Sequence, residues 1–227
     1  TTDKGDLLSM MISSRREAGD DMKKARKQLR DEAMTLFLAG HETTANALTW
    51  TFYLLSQNPD KYDALCAELD QVLKDRPATI DDIAALPYTR QVVAESMRLY
   101  PPAWVIGRTV MHDYEIGGYV IPKGSELWLS QYVVHRDARW YEKPTHFLPE
   151  RWADGEAEKR PKFSFFPFSA GVRNCIGEQF AWQEAILLLA TISRRWRVSL
   201  APGFKVEPLP QVTLRSKNGM SMVLKAR

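Results

Sequence analysis

The hydrophobic positions in the first half of the chain recur at the spacing of α-helices. Residues 31–57 are mostly apolar and contain no proline, and Asn58 and Pro59 follow as residue types that favour the cap and first position of a second helix. That second helix is indicated by four apolar residues on one face: Tyr62, Leu65, Leu69 and Val72. Cys66 lies beside this stripe. The pattern therefore predicts two consecutive helices.

Two further helices are indicated by a cap and by prolines. Residues 79–82, Thr-Ile-Asp-Asp, resemble a capping box with Asp in place of Glu, and Pro87 stops the short helix that they open. Residues 88–100 have a helical pattern that ends at Pro101 and Pro102. The first half of the chain is therefore predicted to be helical.

Short runs of alternating apolar and polar residues follow, which is typical of strands. Residues 114–121 have a Gly-Gly pair at 117–118, and residues 126–134 come after a Pro-Lys-Gly turn at 122–124. We therefore expect a small β-sheet in this region.

The last part of the chain combines a helix with strand-like runs. Residues 176–196 are predicted to form a long buried helix that begins directly after Cys175. The runs 212–216 and 220–225 flank an Asn-Gly pair at 218–219, a hairpin signal. Together the elements predict an α+β fold that is predominantly helical.

Composition and charge narrow the class of protein. The chain has 227 residues, of which 44% are hydrophobic, and this is enough for a sizeable core in one large domain or two small ones. Its 31 basic and 28 acidic residues are mixed along the chain, which argues against a nucleic-acid partner. Two cysteines are too few for a disulfide framework, and this fits a reducing, cytoplasmic compartment.

The first residues contain neither an initiator Met nor a signal segment. We therefore expect the chain to be a piece of a longer protein. Whether the longer protein has a membrane anchor stays open.

One cysteine lies in a segment that also contains two glycines and an arginine. Residues 166–177 read Phe-Pro-Phe-Ser-Ala-Gly-Val-Arg-Asn-Cys-Ile-Gly. A helix N-terminus after Cys175 would favour its thiolate, because unpaired backbone N–H groups stabilise negative charge. Gly171 and Gly177 allow a close approach of the backbone to a planar ligand, and Arg173 could pair with acidic groups of that ligand. An isolated cysteine is more often a buried structural residue.

The spacing in this loop resembles the haem-binding loop of the cytochrome P450 family. Five residues reproduce the pattern F-x-x-G-x-R-x-C-x-G: Phe168, Gly171, Arg173, Cys175 and Gly177. The resemblance implies that Cys175 is the thiolate ligand of the iron of haem b, that Phe168 packs near the sulfur and that Arg173 binds a propionate. Ser169 stands where many members have Gly, a small departure.

A second motif, Ala-Gly-His-Glu-Thr-Thr at 39–44, matches the family pattern A-G-x-[DE]-T-[TS]. The resemblance implies that Ala39 and Gly40 lie over the haem where the helix ladder is locally opened. It also implies that Thr43 holds a water beside O2 and that Glu42 relays protons. A kinked core helix is the plainer alternative. A zinc motif H-E-x-x-H is excluded because Ala45 stands at the second His position.

A third motif is a set of charged residues. Glu95 and Arg98 are three residues apart, as the family's E-x-x-R requires, and Arg151 follows in Pro-Glu-Arg-Trp. The resemblance implies one buried triad that has a structural role. Taken alone, the pair would more often be an ordinary surface ion pair.

The remaining site predictions come from the same resemblance. Arg108 corresponds, with a looser match, to a second propionate-binding arginine. Seven residues are expected to line the substrate pocket, with core packing as the alternative: Leu36, Phe37, Ala103, Trp104, Val105, Ile106 and Val212.

The three motifs and the Arg108 segment occur in family order, so residues 1–227 are interpreted as the C-terminal part of a P450 haem domain whose N-terminal half is absent. The resemblance implies an oxidoreductase that activates O2 and inserts one oxygen atom into a small apolar substrate. Electrons would come from NAD(P)H through a ferredoxin, a flavodoxin or a flavin reductase domain. The alternatives are a haem-binding fragment without turnover and P450-type peroxygenase or isomerase chemistry.

Overall fold

The computed structural model describes residues 4–19, 21–153, 155–157 and 159–227. The chain divides into two compact units, Thr1–Glu42 and Thr43–Arg227. The first unit contains helix α1, Leu7–Glu17, and the beginning of helix α2, Met22–Gln57. Asp6 caps α1 by accepting a hydrogen bond of 2.7 Å from the Ser9 N–H.

Helix α2 starts nine residues earlier than the apolar pattern indicates, at Met22 instead of Asp31. Residues 23–31 are rich in charge, but Ala25 and Leu29 lie one helical turn apart and are both buried. A sparse apolar face is therefore enough to extend the helix.

The second unit contains the helices that were predicted from periodicity. Helix α3 is Pro59–Leu73 and begins at the predicted cap, Asn58, and helix α4 is Pro87–Leu99. Between them, Ile80–Ala85 forms a 3-10 helix with the predicted capping box. Both hydrogen bonds of that box are present, and in one of them the Thr79 N–H donates to the Asp82 carboxylate at 2.8 Å, although Asp is shorter than Glu.

Among the described residues, the strands pair as four separate two-stranded antiparallel sheets. The first pairs are β1, Ile106–Thr109, with β4, Glu126–Leu129, and β2, Tyr114–Ile116, with β3, Tyr119–Ile121. The other pairs are β5, Trp196–Leu200, with β8, Met222–Ala226, and β6, Pro208–Pro210, with β7, Leu214–Ser216. The predicted hairpin at the Gly-Gly pair is confirmed. The small sheet expected in this region is instead two separate pairs of strands, β1 with β4 and β2 with β3.

Two predictions for the strands are wrong. The run 126–134 is a strand only to Leu129 and continues as helix α5, Gln131–Val134, because the Ser130 side chain caps this turn through the Val133 N–H. The two tail strands, β7 and β8, do not form a hairpin, because β8 pairs with β5, whose Val198 is buried in the core. The Asn-Gly turn therefore links two sheets.

Helix α6, Glu178–Arg195, completes the core of the second unit. Its buried face packs against α3 and α4, and the core also includes residues from the second half of α2. Fully buried core residues include Leu55, Leu65, Leu69, Ile186 and Leu189. Because α4 and α6 are fixed in this core, the loops at their ends have a rigid support.

Candidate cofactor site

The cysteine loop leads directly into helix α6. Its backbone is held by two hydrogen bonds: the Cys175 N–H donates to the Phe168 carbonyl at 2.9 Å, and the Ser169 N–H donates to the Phe166 carbonyl at 3.1 Å. Gly171–Arg173 forms one turn of 3-10 helix. The thiol of Cys175 is exposed.

Helix α6 begins three residues after Cys175, and not directly after it as predicted. Gly177 is the residue before the first helical position, Glu178, and the Glu178 N–H reaches back to the Cys175 carbonyl at 3.4 Å. The cysteine therefore lies just ahead of the helix N-terminus, in the short connection that links the 3-10 turn to α6.

Two residues of the loop have left-handed backbone conformations. Gly171 has a φ of 66°, which explains why this position favours glycine. Ser169 has a φ of 67° although it carries a Cβ atom. The departure from Gly at this position, small in the sequence, therefore places a strained residue inside the loop.

Phe168 anchors the loop to the core. Its ring lies 5.9 Å from the ring of Trp182 on α6, and the guanidinium of Arg90 on α4 lies over the Trp182 ring, 4.3 Å from its centroid. The loop thus packs against α6, and α6 is joined to α4 at the same tryptophan.

The two arginines that were predicted to bind the cofactor have different surroundings. Arg108, on β1, donates from Nη2 to the Ser169 hydroxyl at 3.1 Å, which brings it to the cysteine loop. Arg173 is exposed, and its guanidinium forms no hydrogen bond or ion pair with another residue in the described ranges. Both cations are therefore beside or within this loop.

The structure brings the three members of the predicted triad together. Glu95 and Arg98 are completely buried and form a bidentate pair, with both N–O distances 2.8 Å. Arg151 donates to the same carboxylate at 3.0 Å. The Glu95 carboxylate also accepts from the Leu148 N–H and from the Trp152 indole, at 3.0 and 2.8 Å. Such a buried charge is tolerated because its oxygens are saturated with donors.

Arg98 extends this network to the chain that precedes the cysteine loop. Its guanidinium donates to the carbonyls of His135, Pro144 and His146 at 2.7–3.0 Å. The ring of His135 in turn accepts, at Nε2, a 2.9 Å hydrogen bond from the Phe166 N–H, at the start of the loop. His135 therefore connects the buried triad to the cysteine loop.

His135 belongs to no motif in the sequence, and its position is the main contribution that sequence reasoning missed. It is fully buried, and burial together with the nearby positive charge of Arg98 lowers its pKa to about 3. The neutral ring can accept at Nε2. A lone histidine in the sequence carries no signal for this role.

The threonine motif lies within α2, which is α-helical without interruption through residues 39–44, so no local opening of the ladder is present. Ala39, Gly40 and Glu42 belong to the first unit. Thr43 begins the second unit and is half-buried.

The predicted pocket residues belong to both units and differ in exposure. Ala103–Ile106 are half-buried, and the Trp104 indole donates to the Gln211 carbonyl at 2.8 Å, which ties this segment to the tail. Val212 is 94% exposed. Leu36 and Phe37 lie in the first unit, where the Phe37 ring stacks on His41 at 5.8 Å.

Comparison with known proteins gives consistent results. A sequence model of the family described as Cytochrome P450 matches residues 1–222. Cyclooctatin synthase of Streptomyces melanosporofaciens is 43% identical over 213 residues, which are 93% of this chain and 46% of that protein. Pentalenene oxygenase of Streptomyces avermitilis is 35% identical over 226 residues, which are 100% of this chain and 50% of that protein.

The fold agrees with a solved structure. The crystal structure of a cytochrome P450 matches with a TM-score of 0.82 and 29% identity, over 88% of this chain and 46% of that chain. The chain spans about half the length of the curated relatives it matches. Among the described residues, no helix combines the length and the apolar character needed to cross a membrane. The family match, the relatives and the fold agree with the motifs, and the chain belongs to the cytochrome P450 family.

Proposed function

We propose that the intact protein is a haem-thiolate monooxygenase and that residues 1–227 form the C-terminal part of its haem domain. The similarity to relatives named as oxygenases supports this function, as do the motifs and the cysteine loop. When bound, haem b would supply the activation of O2, with electrons from NAD(P)H delivered by a redox partner.

The residues of the cysteine loop fit a haem group. Cys175 offers an exposed thiol, the donor that this family uses for haem iron. Val172 and Ile176 on either side of it are 101% and 90% exposed, so the loop carries apolar surface that the described chain leaves in solvent. Arg173 and Arg108 offer guanidinium groups suited to carboxylates such as the haem propionates.

The chain's own residues would hold the group and direct protons. Cys175 would bind the iron through a thiolate, and the rigid attachment of the loop through Phe168 and His135 would fix the sulfur position. Thr43 would hold a water with its hydroxyl, and Glu42, the preceding residue of α2, would pass protons to that water. The Glu95 network would keep the chain before the loop in place.

The substrate class is proposed from relatives and from apolar side chains. The names of three relatives denote oxygenation of pentalenene, of carotene and of cyclooctat-9-en-7-ol. We expect this protein to act on a small apolar compound of hydrocarbon character, with Trp104 and its neighbours at 103–106 among the contacts. The redox partner would be a ferredoxin, a flavodoxin or a flavin reductase domain.

The exposed Cys175 thiol, at the cysteine position of the loop pattern that runs from Phe168 to Gly177, is the observation that carries the proposal. Its test is the absorption spectrum of the reduced, carbon-monoxide-bound full-length protein. Cys175→Ser should abolish the thiolate-type spectrum. Cys66→Ser is the matched control and should preserve it, because Cys66 is buried in the core between helices and burial raises the pKa of its thiol. Retention of the signal in Cys175→Ser would contradict the proposal.

A further inference from the structure

Ser169 combines an unfavourable backbone conformation with a specific side-chain contact. Its φ of 67° lies in the left-handed region, where a residue with a Cβ atom is strained and glycine is not. A glycine at this position would therefore be easier to accommodate. A serine here is explained if its hydroxyl has a task that glycine cannot perform.

The hydroxyl of Ser169 holds the guanidinium of Arg108. Arg108 Nη2 donates to Ser169 Oγ at 3.1 Å, and Nη1 donates to the Gly107 carbonyl of its own strand at 2.8 Å. Of these two contacts, only the one to Ser169 crosses from β1 to the cysteine loop, over 61 positions of sequence. The serine therefore determines how the arginine lies against the loop.

The chemistry of this contact preserves the charge of the arginine. A hydroxyl accepts a hydrogen bond without neutralising a cation, whereas an Asp or Glu would form an ion pair. No carboxylate in the described ranges forms a salt bridge with Arg108. The guanidinium has five N–H donors in a planar fork, so donors remain for an anionic ligand. The Arg108 guanidinium is therefore held in one orientation before an anionic ligand binds.

We propose that Ser169 is a positioning residue that orders Arg108 for a carboxylate of the cofactor, and that its backbone strain is retained for this purpose. The inference rests on the proposed function, since the carboxylate would be a haem propionate. Ordering one long side chain before binding saves the entropy that its immobilisation would otherwise cost. The effect is expected on haem retention.

The test uses the full-length protein with Ser169→Ala and Ser169→Gly, and it measures two quantities. The first is the rate of haem transfer to an excess of a haem-scavenging apoglobin. The second is the urea midpoint of the haem-free protein. Ser169→Ala keeps the strain and removes the hydroxyl, so haem loss should become about two- to tenfold faster at an unchanged midpoint. Ser169→Gly should lose haem equally fast and have a higher midpoint.

Two controls separate the positioning role from a general effect on the loop. Lys143→Gly relieves another left-handed residue, with φ 48° and an exposed side chain, and it should leave haem loss unchanged. In an Arg108→Ala background, Ser169→Ala should have no further effect on haem loss, because its effect acts through the arginine.

The possible failures are distinguishable. Equal haem loss in Ser169→Ala and the parent would overturn the role of Ser169, and so would an undiminished effect in the Arg108→Ala background. A parent protein that binds no haem, or one whose thiolate-type spectrum survives Cys175→Ser, would overturn the proposed function itself.

Discussion

Acidification should destabilise this fold through one buried histidine. His135 is fully buried, and burial, reinforced by the charge of Arg98, lowers its pKa from 6.5 to about 3. The unfolded chain binds a proton at this side chain near pH 6.5, whereas the folded protein resists protonation until about pH 3. Stability from the neutral ring is therefore complete above pH 6.5 and is lost progressively as the pH falls from 6.5 to 3.

The size of the effect follows from the two pKa values. Each pH unit of this window is worth about 1.4 kcal/mol of unfolding free energy. At pH 5, roughly 1.5 units below the ordinary value, the histidine alone should have removed about 2 kcal/mol relative to pH 7.5. This figure hardly changes if the folded pKa is one unit higher, because pH 5 still lies above it.

The assay is urea unfolding of the haem-free, full-length protein at pH 7.5 and pH 5. His135→Gln keeps a side-chain acceptor for the Phe166 N–H but does not titrate, so the pH-dependent loss of stability should shrink by about 2 kcal/mol. The measured quantity is the difference between two pH values, so a general cost of the substitution cancels. His112→Gln is the control, because His112 is exposed, and it should keep the full pH dependence. An unchanged pH dependence in His135→Gln would refute the reasoning.

Three further predictions concern the triad, the core and the proton path. Glu95→Ala leaves two arginines without their buried carboxylate and should cost roughly 3–5 kcal/mol, seen as little soluble haem-loaded protein; a normal yield and melting temperature would count against the network. Leu189→Ala, at a fully buried position of α6, should lower the urea-derived stability by about 2–5 kcal/mol, and a loss below 1 kcal/mol would show that the site is loosely packed. In the full-length protein, Thr43→Ala should divert electrons from product to hydrogen peroxide, whereas Thr44→Ala should do so much less; equal coupling in Thr43→Ala and the parent would remove Thr43 from the mechanism.

The helices were predictable because their signals are local. The cap at Asn58, the prolines at 59 and 87 and the apolar stripe of α3 act within a few residues of chain. Strand partners were harder to predict, because a run of alternating apolar and polar residues does not specify which other strand it pairs with. The tail illustrates this, since β8 pairs with β5, which is more than twenty residues earlier, and not with β7 across the Asn-Gly turn.

The candidate site was predictable where a function requires fixed spacing. The loop pattern and Glu95-x-x-Arg98 could be read directly, and Arg151 followed from the family resemblance. The strain at Ser169 and the contacts of His135 could not, because both depend on chain segments that meet only after folding. A left-handed serine and a buried neutral histidine are properties of tertiary structure, and their residue types do not indicate them.

The Glu95 carboxylate has a consequence for how the protein opens. It accepts hydrogen bonds from Arg98 on its own helix and from Leu148, Arg151 and Trp152 on the following segment. In that segment the described residues between α5 and the cysteine loop form a single regular element, the 3-10 helix Pro149–Trp152. Little backbone ladder is available there to resist local unfolding, so the amide protons of this stretch should exchange with solvent in one cooperative step, released when the carboxylate loses its donors.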